Sequence, residues 1–277
     1  MSTKRNKDPL SFFLFLIVHV AMIFTMAALL FVICYILVKG VPNLTPSLFA
    51  AKYTSENVSL MPALANTIFM TLLSLLFAVP VGVGAAVYLV EYAQRGNKLV
   101  RLVGMTAETL SGIPSIVYGL FGALFFVKYL GLGISLLSGA LTLSVMILPL
   151  IMRTTEEALR TVPDSYREGS FGLGAGKLRT VFRIVLPSAV PGILSGVILG
   201  IGRIVGESAA LIFTAGTVAE TATSIFDSAR TLSVHMYAIS GEGLYIDQTF
   251  ATAVVLLIVV IVINAISGCI AKRLEKR

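Results

Sequence analysis

The sequence predicts an all-α polytopic membrane protein with six transmembrane helices and both termini cytoplasmic. Three observations predict it. The 277-residue chain is only 13% charged, with a mean hydropathy of +0.93, where a soluble domain is about 25% charged. Lipid is therefore its main solvent. Long apolar runs recur six times along the chain, and lysine and arginine collect in alternate connecting segments. Only helices or closed barrels satisfy the backbone in lipid. These runs are too long and too continuously apolar for barrel strands, so they are helices.

The first span is the uncharged run Ser11 to Val38, interrupted only by His19. At 1.5 Å per residue it is roughly 42 Å long, more than the ~30 Å hydrocarbon core. Lys4, Arg5 and Lys7 precede it, as in a signal peptide. Such a peptide has an apolar core of only about 7–15 residues and a small-residue cut site. Neither fits, so the run reads as an uncleaved anchor, with His19 a packing residue. The second span is Ala63 to Val90. The third, Ile113 to Val127, follows an approach segment, Leu102 to Gly112, that places Glu108 at the inner interface. The fourth, Ser138 to Met152, contains Pro149. The fifth, Pro191 to Thr214, contains Arg203 and Glu207. The sixth is Phe250 to Ala271.

With the N-terminus inside, sixteen lysines and arginines fall in inner segments; four, Lys39, Lys52, Lys128 and Arg230, fall in outer loops. That asymmetry sets the orientation and accounts for the net charge of +7 without a nucleic-acid partner. Cys34 and Cys269 sit inside apolar runs and form no disulfide framework. No Cys/His group has metal-ligand spacing, and no cofactor is expected. Residues 1–62 hold the tail, the anchor and the first outer loop. Residues 63–277 form a five-helix core with a large inner loop at 153–187. The largest outer loop, Ala215 to Thr249, carries Arg230, His235 and Tyr237. Apolar Ile225, Phe226, Leu232 and Met236 are partly helix-spaced there, which fits an interfacial helix.

The inner loop contains FGLGAGKLRT, Phe171 to Thr180. A P-loop needs G-x-x-x-x-G-K-[ST], so that amides cradle phosphate and a hydroxyl ligates magnesium. Phe171 occupies the first glycine position and Leu178 the hydroxyl position. The chain is therefore not an ATPase itself. From Glu168 to Pro187 it instead resembles the EAA loop of ABC importer permeases: E-A-A, three residues, Gly, nine residues, I-x-L-P. Glu168, Gly174, Ile184, Leu186 and Pro187 match, with Gly169 and Ser170 replacing the two alanines. Pro163-Asp164 starts a short helix on which Tyr166 and Phe171 are aromatic anchors. Gly169, Ser170, Gly174 and Ala175 are small enough for another protein to approach closely. The resemblance implies that this helix fits a cleft on a separate ATPase and transmits its motion.

IPSIVYGLFG (113–122), RTVPDSYREGS (160–170) and GRIVGESAALIFTAG (202–216) are similar to phosphate-specific permeases of the PstA family. That resemblance implies the type I ABC importer permease fold in a bacterial or archaeal plasma membrane. It also implies a PstC-like second permease, a PstB-like ATPase dimer and an extracytoplasmic PstS-like phosphate-binding protein. Alternating access would then move inorganic phosphate inward.

Two charges inside a span are costly, about 2.5–3.5 kcal/mol each. Arg203 and Glu207 at i and i+4 would share one helix face, roughly 24 Å past Pro187. Arginine forks to phosphate oxygens, and the carboxylate can accept a P–OH proton that sulfate lacks. The pair is a pathway candidate; an internal pair that only holds helices in register is the alternative. Arg153 and Glu156, at the inner end of the fourth span, are functional by the family resemblance, or a snorkelling surface pair. Rivals are a permease for sulfate, molybdate or tungstate, and an ion-coupled secondary transporter, which often shows the repeated halves not seen here.

Overall fold

The computed structural model describes residues 9–94 and 98–275. The tail cations Lys4, Arg5, Lys7, Lys276 and Arg277 and the loop residue Arg95 lie outside the described residues. The chain runs through α1 (Pro9–Gly40), α2 (Met61–Val87), α3 (Lys98–Ser111), α4 (Ser115–Gly122), α5 (Leu136–Thr161), α6 (Asp164–Gly172), α7 (Lys177–Thr180), α8 (Leu186–Val205), α9 (Ala209–Thr214), α10 (Leu232–Glu242) and α11 (Ile246–Glu275). Helices α2 and α4 are prolonged by π turns, Tyr88–Tyr92 and Ala123–Tyr129, and a third π turn, Val181–Val185, leads into α8. Among the described residues, five helical stretches are long and apolar enough to cross a membrane by themselves.

The expected third span departs from a straight rod. Val100–Ser111 and Ser115–Tyr129 pass the length test only as a pair, bent by 106°. The reason is local: Pro114 caps α4 with φ −58° and ψ 140°, an extended conformation that ends α3. Tyr118 Oη donates to the Leu110 carbonyl at 2.7 Å and pins the corner.

The centre is a three-helix spine of α2, α5 and α8. Helices α2 and α5 run side by side in the same direction. Ser144 Oγ donates to the Ser74 carbonyl at 2.9 Å, with Met70, Leu143, Ile147 and Ile151 buried around it. Helix α8 returns antiparallel to α5, with Gly192 against Ala158 and Gly196 against Thr154. Lipid supplies no hydrophobic drive between helices, so close packing through small residues does the work. Only some of the glycines in the spans are used in this way. Gly82, Gly119, Gly122, Gly192 and Gly196 touch neighbours, whereas Gly84 and Gly202 face open space.

At Gly119 an added methyl would sit 2.8 Å from the Ala210 Cα, which is backbone and cannot swing away. Gly119→Ala is expected to prise α4 from α9 and destabilise the protein by about 1–3 kcal/mol. Gly84→Ala, with nothing within 4 Å, is expected to be silent. Thermal unfolding of the two variants in the same detergent checks this.

Helix α1 stands at the periphery. Phe12, Phe24 and Phe31 are exposed, and α1 meets α11 where Gly40 abuts the Phe250 carbonyl. This exposure is what a lipid-facing anchor requires.

Candidate functional site

Three places carry polar chemistry. The first is the α6 end of the spine. Pro163 starts α6, Asp164 sits in its first turn where the helix dipole favours a carboxylate, and the helix stops at Gly172. Gly174, at φ +82°, then takes a left-handed conformation that a side chain would strain, and the chain reverses into α7. Ser170 Oγ and Thr180 Oγ1 meet at 2.8 Å and tie α6 to α7. Ser170 therefore points inward, not toward a partner. Glu168 and Gly169 are exposed, and Gly169, Gly172 and Gly174 would each have open space at Cβ. Ala175 is half-buried, and its N–H donates to the Ser170 carbonyl at 3.1 Å.

Tyr166 is 52% exposed and Phe171 46%. Leu173, Leu178 and Phe182 are exposed as well. Beside the helix lies a groove of about 840 Å³ lined by Thr161, Pro163, Tyr166, Arg183 and Pro187. Intrachain packing covers only about half of either aromatic side chain of this short helix.

One cation holds this helix in place. Arg167 donates to Glu91 Oε1 through Nε at 3.1 Å and Nη2 at 2.7 Å. It also donates to the Leu159 and Val162 carbonyls, at 3.0 and 2.8 Å, and to Asp164 Oδ1 at 3.2 Å. The Glu91 and Arg167 side chains are only 8% and 15% exposed. Sequence reasoning missed this pair. Its signal was Glu91 standing directly after the second apolar run.

The second place is the expected fifth span, where the structure corrects the sequence. Helix α8 ends at Val205 and α9 starts at Ala209, so Arg203 and Glu207 do not share a helix face. Gly206 leaves the helix after its N–H donates to the Gly202 carbonyl, and Ser233 Oγ donates to the freed Gly206 carbonyl at 3.1 Å. Glu207 is buried, and its Oε1 accepts from the Ala210 N–H at 3.0 Å, which caps α9. Arg203 is half-buried, lies within electrostatic reach of the Tyr118 phenol, and makes no ion pair among the described residues. Broken helices are tolerated at membrane depth only where protein or a watery cavity receives the backbone.

Arg153 and Glu156 do not pair with each other. Arg153 reaches Glu108 of α3 at 3.5 Å, with both side chains well exposed, and Glu156 binds Arg160 at 2.6 Å.

The third place is at the opposite end of the spine from α6. The expected helix through Ile225 and Phe226 starts only at Leu232; residues 216–231 form a non-helical strap. Asn66 of α2, fully buried, clasps it. Its Nδ2 donates to the Glu220 and Arg230 carbonyls at 2.9 and 3.2 Å, and its Oδ1 accepts from Ala222 N–H at 2.9 Å. Thr67 Oγ1 accepts from Leu232 N–H at 2.8 Å. Arg230 lies over the Tyr53 ring, 5.0 Å from its centroid, and His235 meets the same ring edge-on.

Burial, and secondarily the charge of Arg230, hold the His235 imidazole down to about 4, against an upward pull from the Val58 carbonyl. The unfolded chain takes up its proton near pH 6.5. Stability is therefore full above about pH 6.5 and falls as pH drops toward 4, by at most about 3 kcal/mol. His235→Phe is expected to flatten the midpoint of thermal unfolding measured between those pH values.

These features define a membrane-embedded protein that spans the bilayer several times and presents the short helix α6 with its aromatic side chains half exposed. Residues 78–277 match the family described as binding-protein-dependent transport system inner membrane component, and the chain belongs to it. It is an ABC importer permease subunit. It is 35% identical over 261 residues to the probable ABC transporter permease protein YqgI of Bacillus subtilis (strain 168), covering 88% of each chain. It is 36% identical over 211 residues to the phosphate transport system permease protein PstA 1 of Mycobacterium tuberculosis (strain H37Rv), covering 75% of this chain and 68% of that one. A bacterial alginate ABC transporter shares the fold at a TM-score of 0.62 and 18% identity, over 91% of this chain and 95% of that one.

Proposed function

We propose that this chain is one half of the membrane pathway of an inorganic phosphate importer, with both termini and α6 facing the cytoplasm. A PstC-like permease forms the other half, a PstB-like ATPase dimer grips α6, and a PstS-like protein delivers phosphate outside. The observation that carries the coupling role is the free presentation of Tyr166 and Phe171 on α6, braced from behind by Arg167. Phosphate as the cargo is supported by the similarity to permeases named for phosphate transport.

The break between α8 and α9 suits the cargo chemically. Arg203 stays charged and can fork to two phosphate oxygens. Glu207 has one oxygen committed to the Ala210 N–H, which leaves its second oxygen to accept a P–OH hydrogen bond. The chain itself supplies no hydrolysis; it converts motion of α6 into exposure of the pathway to one side or the other. The test is reconstitution of the four components in vesicles. ATP-dependent accumulation of radiolabelled phosphate is expected, with sulfate, molybdate and tungstate as poor competitors. Accumulation driven by an ion gradient without the ATPase would overturn the reading, and preferential uptake of another oxyanion would overturn the cargo.

A further inference from the structure

Helix α2 is fastened at both ends by buried polar joints, to α6 at one end and to the strap 216–231 at the other; its packing partner α5 holds the same strap, with the Leu136 and Leu137 N–H groups donating to the Asp227 and Ile225 carbonyls, both at 2.8 Å. At one end Glu91 receives two hydrogen bonds from Arg167 of α6. At the other, Asn66 makes three to the strap 216–231. The two joints are 25 residues apart, roughly 37 Å along a helix. Between them Ser74 and Gly82 pack directly on α5, which braces the stretch on both sides of Pro80, where the helix lacks one backbone hydrogen bond. A π turn over Tyr88–Tyr92 advances the last residues out of α-helical register, and Glu91 lies within it. Such turns mark places where a helix re-aims a side chain.

The chemistry of the joints makes them rigid. Pulling Arg167 from Glu91 would leave an uncompensated charge in a buried site, and pulling Asn66 from the strap would orphan three backbone groups. Each joint therefore moves with what it holds. We propose that α2 is the connecting rod of this permease: the Glu91–Arg167 pair takes up displacement of α6, and the Asn66 clasp delivers it to strap 216–231, which acts as the outer gate. The proposal rests on the reading of α6 as the ATPase contact. It assigns Glu91, Arg167 and Asn66 as positioning residues, since none of them is placed against the cargo.

The experiment uses the full transporter in vesicles, with Cys34→Ala and Cys269→Ala. A reporter, Thr221→Cys, is placed on the exposed strap and treated with a membrane-impermeant maleimide, with and without ATP plus vanadate. In the parent, the nucleotide is expected to change the labelling rate at least about fivefold, the lower range of measured allosteric couplings. Glu91→Gln and Asn66→Ala are each expected to bring that ratio close to one and to lower phosphate taken up per ATP hydrolysed, while the ATPase stays bound and active. Glu91→Asp, which keeps the carboxylate opposite Arg167, is expected to retain part of the ratio. An unchanged ratio in both Glu91→Gln and Asn66→Ala would overturn the proposal. So would loss of the ATPase from the Glu91→Gln complex, which would make the pair a docking support. Failure of the ATPase to copurify with the parent chain would instead strike at the α6 reading itself, and the rod would fall with it.

Discussion

Tyr166→Ala combined with Phe171→Ala is expected to abolish ATP-driven uptake while leaving the membrane fold intact. The two rings are about half exposed on α6 and contribute little to the packing of their own chain. Their removal is therefore expected to move the thermal midpoint of the isolated subunit very little. If α6 is the ATPase contact as proposed, the same rings are its anchors, and truncation of a buried interface aromatic costs about 2 kcal/mol or more. Two of them together remove about 4 kcal/mol, a loss of about a thousandfold in ATPase affinity. Titration of the purified ATPase onto the reconstituted permease measures this directly, alongside phosphate uptake. The comparison that gives it force is Ser170→Ala. Ser170 points at Thr180 inside the loop, so its loss is expected to cost stability of the α6–α7 turn more than partner affinity. Full ATPase affinity in the aromatic double variant would remove α6 as the contact.

Much of this was legible in the sequence because membrane solvation leaves a coarse, strong mark. The runs beginning at Ser11, Ala63, Ser138 and Phe250 each became one long helix, since apolar length alone decides that a segment spans. The inner loop was readable because Glu168, Gly174 and Pro187 sit at fixed intervals around a short helix, although the left-handed turn at Gly174 was not read from that spacing. Two spans were not readable in detail. A hydropathy window cannot see that Pro114 turns α3 and α4 against each other by 106°. Nor can it see that Gly206 ends α8, because glycine within an apolar run serves equally for close packing and for a break. The site residues suffered more. Glu91–Arg167 and the Asn66 clasp join positions 76 and more than 150 residues apart, and no spacing rule reaches across such distances. Arg153 and Glu156, close in sequence, turn instead toward Glu108 and Arg160.

Arg203→Gln is expected to cut phosphate uptake by about 10- to 100-fold, with the assembled complex and its thermal midpoint unchanged. The size follows from losing charge-assisted hydrogen bonds worth about 1.5–3 kcal/mol to an anion. The unchanged stability follows from the break at Gly206. If Arg203 and Glu207 were a structural ion pair, breaking it would strand a buried carboxylate and unfold the region. Here Glu207 is already satisfied by the Ala210 N–H, and Arg203 makes no ion pair among the described residues. Arg203→Lys keeps the charge but not the fork, so partial recovery of uptake is expected. Glu207→Ala separates the two residues further: it removes the cap of α9, and a loss of stability of about 1 kcal/mol is expected, which Arg203→Gln does not share. The double variant Arg203→Gln with Glu207→Ala is then expected to be additive in stability, because the two side chains serve different partners. A coupling between them of about 1 kcal/mol in that cycle would restore the register pair and remove Arg203 from the pathway.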